Sequence, residues 1–485
     1  MARKISYGKP CYQTYQNTQS CLKSGLVFDA NFEHPTLQGA ITPTRDTQGV
    51  ASLALGYVLH WAFSPPLLNP KLQLISKSMK ILHIALTDGG GAGMGLMNQH
   101  RALLQLGVDS RVLVAIKQSK DATITEMRPN QNVWGSNKYV VLLQKVARRM
   151  GLSFNLYDRT HRDIYKIKKK IAIPFSSPIT QYDVSRHPLV DWADVINLHF
   201  VSGFVDIPSF FKNVKKPIVW TMRDENPGLG GFHYAEAKQV HYKEFSELED
   251  KFLNIKRNAI ESCSNLSIVS LSEIMRRFCD GVDFLANRPN TIIYNAISPD
   301  DYTMFQRNEA RHELGINPDD IVLSFVCCQF SEKRKRFAEV LEALDILGDK
   351  HIKLLCVGKR DVEITSPNVI ALGSISDRRR MSLVYSASDV FVTPSAQESF
   401  GKTVVEALYC GTPVVSTSVG IAAEIMDESN GALCGGTPSE IAEAIRQVLG
   451  NKYNQTEIRR LATEKFAPEN VARQYFTLYN EILKS

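Results

Sequence analysis

Residues Ser395–Val415 read SAQESFGKTVVEALYCGTPVV, and the fold turns on this stretch and its flanks. The apolar run Asp389–Thr393 predicts a strand before it. Pro394–Glu398 then forms a loop, a helix starts near Phe400, and Thr412–Ser416 supplies the next strand. Short apolar runs alternating with helical stretches are the mark of a parallel α/β sheet. Gly401-Lys402-Thr403 ends like a phosphate-binding P-loop, but that motif needs glycine at position 396, where Ala396 stands. Glu398 inside the loop would repel a triphosphate, so ATPase chemistry is set aside.

The two glutamates of this stretch carry more. Glu398 lies at the carboxyl end of a strand, on the loop entering a helix, and Glu406 lies about two turns inside that helix. Free backbone N–H groups near Ser399, Phe400 and Gly401 would face an anion. Carboxylates on either side of a phosphate site suit a nucleotide sugar, one for the sugar hydroxyls and one for the ribose diol. The plainer alternative stays open: Glu398 a helix N-terminal charge, Glu406 a helix-surface residue.

Working outward, the same alternation runs back to Met79. Strand-like runs are Met79–Leu86, Arg111–Ala115, Val195–Leu198, Pro217–Trp220 and Leu266–Ser270, then Ile321–Val326 and Lys353–Gly358. A polar linker near residues 292–309 divides them into two α/β units in tandem. Thr437-Pro438-Ser439-Glu440 is a helix start with cap, proline and returning glutamate. Pro468–Leu483 has helical spacing. After the Met79 strand comes LTDGGGAGMGL, a glycine loop predicted to precede a helix at about Met94–Leu106. It has no G-x-G-x-x-G match, which argues against a dinucleotide, yet glycines let backbone approach a ligand closely.

At 485 residues two or three domains are expected, and 44% hydrophobic with 22% charged residues marks a folded chain. Nine cysteines, an odd number without CxxC, read as reduced thiols of a cytosolic protein. No segment reaches the roughly 18 apolar residues of a membrane span. Residues 1–78 show no lasting period, and the expectation is a poorly ordered, dispensable extension. The net charge of +7 is partly gathered in a basic, aromatic-interleaved segment at 145–170. That segment is a solvated helical face or a surface for anionic lipid headgroups or a pyrophosphate-linked acceptor.

ESFGKTVVEALYCGTPVVST, preceded by YSASDVFVTPS, resembles the family 4 retaining glycosyltransferases of the GT-B fold. The resemblance extends to ILHIALTDGGGAG, INLHF, IIYNAIS and FSEKRKRFAEVLEAL, and the branch is that of bacterial capsule and exopolysaccharide synthesis. It implies two Rossmann-like domains with parallel sheets facing across a cleft. Residues 79–299 would form the acceptor domain and 300–467 the donor domain, with helix 468–485 packing back on the first.

By the same resemblance Glu398 holds the donor sugar, Glu406 the ribose, and Ser399, Phe400 and Gly401 the diphosphate. Lys335 neutralises the diphosphate, His199 faces the reacting centre, and Gly89, Gly90 and Gly91 approach from across the cleft. Two departures stand out. Gln329 occupies a place often held by arginine, leaving charge to Arg334 or Arg336. Arg223, followed by Asp224 on the acceptor side, stands where relatives carry histidine.

The activity so implied is metal-independent transfer, with no cofactor, from a nucleotide diphosphate sugar. The acceptor is a glycan or a polyprenyl-diphosphate-linked glycan, the place is the cytoplasm or the inner membrane face, and nucleic acid is no partner. A GT-B-fold epimerase and a non-catalytic nucleotide-sugar-binding partner in a polysaccharide assembly complex remain open alternatives.

Overall fold

The computed structural model describes residues 79–129, 156–169, 171 and 173–485. The predicted N-terminal extension and, of the basic segment, residues 145–155 and 170 lie outside these. Two separate parallel sheets form the body. The first holds β1 (Lys80–Thr87), β2 (Asp109–Ile116), β3 (Ile124–Glu126), β4 (Val195–Leu198), β5 (Ile218–Met222), β6 (Leu266–Ser270) and β7 (Asn290–Ile292). Its order is β3-β2-β1-β4-β5-β6-β7. The second holds β8 (Ile321–Gln329), β9 (Ile352–Lys359), β10 (Val369–Gly373), β11 (Val390–Thr393), β12 (Val414–Thr417) and β13 (Gly431–Cys434), in the order β10-β9-β8-β11-β12-β13. The expected pair of parallel α/β sheets is therefore observed.

Helices cover both faces of each sheet, which is why the central strands are apolar runs without alternation. Leu82, Ile84, Ile196, Leu198, Ile218 and Ile268 share one core, while Leu323, Leu354, Val390, Val392 and Val415 share another. The strands missed in the sequence are β3, β7, β10 and β13, all at sheet edges, where exposure removes the apolar run.

Seven helices matter below: α1 (Gly90–Gln105), α2 (Leu156–Lys168), α3 (Ala235–Glu261), α4 (Lys402–Tyr409), α5 (Pro438–Gly450), α6 (Gln455–Phe466) and α7 (Pro468–Lys484). Helix α5 starts with the complete capping box of Thr437 and Glu440. Helix α7 lays Val471, Ala472, Tyr475, Phe476 and Tyr479 on the first domain, against Met79, Ile81, Leu103 and Val195. Its hydroxyls are satisfied there. The Tyr479 hydroxyl accepts from Asn197 Nδ2 at 2.6 Å and Gln99 Nε2 at 3.1 Å, and Tyr475 meets Thr221 at 3.1 Å.

Strand order reverses between β1 and β4 and between β8 and β11. In open α/β sheets ligands bind outside the carboxyl ends of strands at such a reversal. The carboxyl ends of these four strands and the segments that follow them carry Gly89–Gly91, His199, Gln329–Lys335 and Ser395–Gly401. Topology alone thus gathers most of the candidate residues.

Candidate functional site

Helix α4 begins at Lys402, two residues later than the sequence suggested, with Gly401 as its N-cap at φ +84°. The delay has a cause. The Ser399 carbonyl accepts from Ser272 Oγ at 3.1 Å, and the Phe400 carbonyl accepts from the Ile421 N–H at 2.7 Å. Both residues are buried and tied into the loop, so the chain turns at a left-handed residue before the helix can start, a role suited to glycine. The amides at the open end of the helix are therefore those of Lys402 and Thr403 rather than those of Ser399 and Phe400.

Glu398 sits just before this turn. Its Oε1 lies 2.5 Å from Lys335 Nζ and 3.2 Å from Arg334 Nη1. Burial pushes its carboxyl up, but Lys335 and Arg334 outweigh burial and hold it to about 2. Glu398 is thus an ionised acceptor across the working pH range. Arg334 is itself fixed by Glu332 and the Gln397 carbonyl, and its guanidinium lies 4.5 Å over the Tyr234 ring from the other domain. Gln329 is exposed at the end of β8.

Glu406 is buried inside α4, not on its surface. Lys402 Nζ lies 2.9 Å from its Oε1, and the Tyr385 hydroxyl donates to Oε2 at 3.0 Å. Burial raises this carboxyl, while Lys402, a Tyr302 hydrogen bond and Arg378 bring it below the ordinary range. Lys402, read in the sequence as an accident of a false P-loop, is therefore the counter-ion of the second glutamate. Its (i, i+4) spacing to Glu406 was the available signal.

Across the cleft, the glycine stretch is not a loop before a helix; it is the first turn of α1, which starts at Gly90. Gly89 packs against Gln118, so a Cβ there would collide, whereas added Cβ atoms at Gly90 and Gly91 meet nothing within 4 Å. These two residues are exposed and can be approached closely. One turn on, Met94 Sδ lies 3.2 Å from Arg378 Nη2 and 3.9 Å from Lys402 Nζ, joining the two domains beside Glu406.

His199 does not present a free ring nitrogen to the cleft, contrary to expectation. Its Nε2 lies 2.9 Å from His83 Nδ1, and Arg223 donates to its Nδ1 at 3.2–3.3 Å. Because Arg223 can only donate, Nδ1 is the acceptor and Nε2 carries the proton toward His83. Burial, Arg223 and His83 all keep the ring neutral, well below the usual histidine pKa. Arg223 continues to Asn295 Oδ1 at 2.7 Å and packs under Gly95 of α1. The guanidinium thus ties the β5 loop to the interdomain linker.

Asp224 faces away from Arg223. Its Oδ2 lies 2.5 Å from His233 Nδ1, and His233 Nε2 lies 2.8 Å from Ser176 Oγ. The 223–234 loop is clamped from α3. Lys256 donates to the Asn226 and Leu229 carbonyls, and Glu249 accepts from the Gly230 and Gly231 N–H groups. A Cβ on Gly230 would lie 2.0 Å from the Glu249 carbonyl oxygen, and one on Gly231 2.3 Å from Phe175. At the loop's ends, Glu225 and the Glu236 N–H meet the side chain of Gln397. Glu424 takes the Glu273 N–H at 2.7 Å and the Tyr294 hydroxyl at 2.9 Å. These contacts, with the Ser272 bond to Ser399, join the two domains beside Ser395–Gly401.

Among the described residues no helix is long and apolar enough to cross a membrane, and the seven cysteines are free thiols. Residues 321–451, the whole second sheet and α5, match the family model described as glycosyl transferases group 1. An uncharacterized glycosyltransferase of Methanocaldococcus jannaschii is 25% identical over 317 residues, which is 60% of this chain and 76% of that protein. The O-antigen biosynthesis glycosyltransferase WclY of Escherichia coli is 27% identical over 214 residues, 41% of this chain. This match spans 58% of the WclY length, little more than half. Among solved structures, Anabaena Alr3699/HepE in complex with UDP and glucose superposes with a TM-score of 0.57 at 16% identity. The superposition covers 83% of this chain and 99% of that one. The likeness is one of fold, two Rossmann-like domains with parallel sheets.

Proposed function

We propose that this chain, a glycosyltransferase of the group 1 type with the GT-B fold, moves a sugar from a nucleotide diphosphate sugar with retention of configuration. The observation that carries the reading is Glu398, ionised and held between Lys335 and Arg334 at the mouth of α4, with a second buried glutamate in the same helix. The carboxylate is the counter-ion of the two cations. A diphosphate would take its place, and Glu398 would then accept hydrogen bonds from donor-sugar hydroxyls. Glu406 is offered as the ribose contact.

Transfer builds negative charge on the departing diphosphate. Lys335, Arg334 and the open amides of α4 are preorganised donors for that charge, where such donors do most for a reaction. With cations already in place, the reaction is proposed to be metal-independent and to need no cofactor. Glu398, committed to hydrogen bonds from the donor sugar, is not the group that takes the acceptor's proton. The proton therefore goes to the leaving phosphate oxygen, on the face where the acceptor attacks. His199 supports this centre through Arg223 rather than touching the sugar.

The acceptor is proposed to be a glycan, free or carried on a polyprenyl diphosphate, in cell-surface polysaccharide synthesis in the cytoplasm. The O-antigen role of WclY supports that setting. The basic segment at 145–170 would then rest on an anionic membrane face.

The test is product analysis with UDP-, GDP- and ADP-sugars over a panel of glycoside and polyprenyl-linked acceptors. A glycoside with the donor's anomeric configuration supports the reading. An inverted product refutes retention, and an epimerised nucleotide sugar without transfer refutes the reaction class.

A further inference from the structure

A cavity of about 250 Å³ lies in the first domain, between α2 and the loops around Phe175 and Gly203. It belongs to none of the donor contacts described above. Gly203 follows β4 and the His233 loop follows β5, so the cavity stands at the same carboxyl edge of the sheet as the cleft. His233, behind the cavity's Ser176, is followed by Tyr234, whose ring lies under Arg334 beside Glu398. His233 and Tyr234 therefore link the cavity's Ser176 to Arg334 of the donor grip.

We propose that the cavity is the acceptor subsite and takes one sugar ring through a hydroxyl pair read by Ser176 and Ser177. This inference rests on the transferase reading. The polarity of each group follows from its partners. Asp224 Oδ2 accepts from His233 Nδ1 at 2.5 Å, which fixes the tautomer and leaves Nε2 as acceptor. Ser176 Oγ, 2.8 Å from Nε2, then spends its only proton on His233. Toward the cavity it can only accept.

Ser177 has the opposite bias. Its Oγ accepts from the Ile179 N–H at 3.0 Å and keeps its proton to donate. Adjacent residues so present one acceptor and one donor, which match two neighbouring hydroxyls. Lys168, His161 and Thr180 complete the polar lining beside them. Ile164 and Phe175 give apolar wall, and the exposed ring of Tyr165 at the margin offers a face for the C–H side of a sugar. The volume is below the ~300–1,000 Å³ of larger ligand sites, room for one ring rather than a chain.

Ser176 and Ser177 thus bind the sugar directly, and His233 is a positioning residue acting through Ser176. The test is a saturation-transfer NMR titration of the full chain with methyl glycosides of glucose, galactose, mannose and N-acetylglucosamine, and with the monodeoxy forms of whichever binds best. At least one glycoside should bind, and one deoxy form should bind about three- to tenfold more weakly, the worth of a neutral hydrogen bond. In Ser176→Ala that deoxy form and its parent should bind equally, and His233→Gln should show the same loss of discrimination. Ser177→Ala should erase discrimination at the neighbouring hydroxyl. A general loss of structure would weaken parent and deoxy ligand alike, so the ratio separates the two.

Discrimination that survives in Ser176→Ala, or binding by none of the glycosides, overturns the proposal. So does Ser176-dependent release of p-nitrophenol from p-nitrophenyl acetate, which would make the three residues a hydrolytic set. Binding of UDP-, GDP- and ADP-sugars to the same samples tests the transferase reading separately. If glycosides bind as described while no nucleotide sugar does, that reading fails and the cavity's hydroxyl recognition stands.

Discussion

Glu398→Gln should flatten the acid dependence of stability. In the folded chain burial raises the Glu398 carboxyl, yet Lys335 at 2.5 Å and Arg334 at 3.2 Å bring it to about 2, against an ordinary glutamate value of 4.5. A carboxyl whose pKa is lower folded than unfolded stabilises above the unfolded value. That contribution is lost as pH falls through the folded value. The window here runs from 4.5 down to about 2. At 1.36 kcal/mol per tenfold, the whole contribution is about 3 kcal/mol, of which about 1 kcal/mol is lost between pH 5 and pH 3.5. The assay is urea denaturation of wild type and variant at pH 7, 5 and 3.5. Circular dichroism is the right probe, because Trp61, Trp134, Trp192 and Trp220 all precede the second sheet. The advantage of wild type over the variant should shrink by about 1 kcal/mol from pH 5 to pH 3.5. Stability curves that stay parallel over that range would refute the ion-pair account of Glu398.

Glu406→Gln keeps an acceptor for Tyr385 but leaves the half-buried Lys402 without its charge partner. It should cost about 1–3 kcal/mol by denaturation and raise the donor KM at least about tenfold. Tyr479→Phe strands two buried amide groups, Gln99 Nε2 and Asn197 Nδ2. The expected loss is about 1–3 kcal/mol in urea. Gly95→Ala drives a Cβ to 2.2 Å from Asn295 Oδ1 and 2.7 Å from Arg223 Nη1. A stability loss of about 1–3 kcal/mol with lowered turnover should follow, read by thermal unfolding and a transfer assay.

The central strands were legible because a strand covered on both faces is mostly apolar, as in Val195–Leu198 and Leu266–Ser270. The edges were not, since Ile124–Glu126 and Val369–Gly373 are half-exposed and short. Local signals placed Glu398 and Glu406 on the right element and gave the capped start of α5. They misplaced the starts of α1 and α4. A run of glycines looks like a loop whether or not it becomes a first helical turn, and the ties of Ser399 and Phe400 come from Ser272 and Ile421.

Side-chain direction was the least legible. His199 sits after β4 as expected, but its nitrogens are claimed by His83 and Arg223, 116 and 24 residues away. Ser176 and His233 meet across 57 residues, and Glu225 and Gln397 across 172. No periodicity records such pairs.

The most direct test of the nucleotide-sugar site is a calorimetric titration of the full chain with UDP-, GDP- and ADP-sugars, repeated on Lys335→Ala and Glu398→Ala. The account predicts that one nucleotide sugar binds wild type, and that each variant loses at least about tenfold in transfer from it, about 1.4 kcal/mol of transition-state stabilisation. Binding of no nucleotide sugar, or wild-type transfer by both variants, would contradict it.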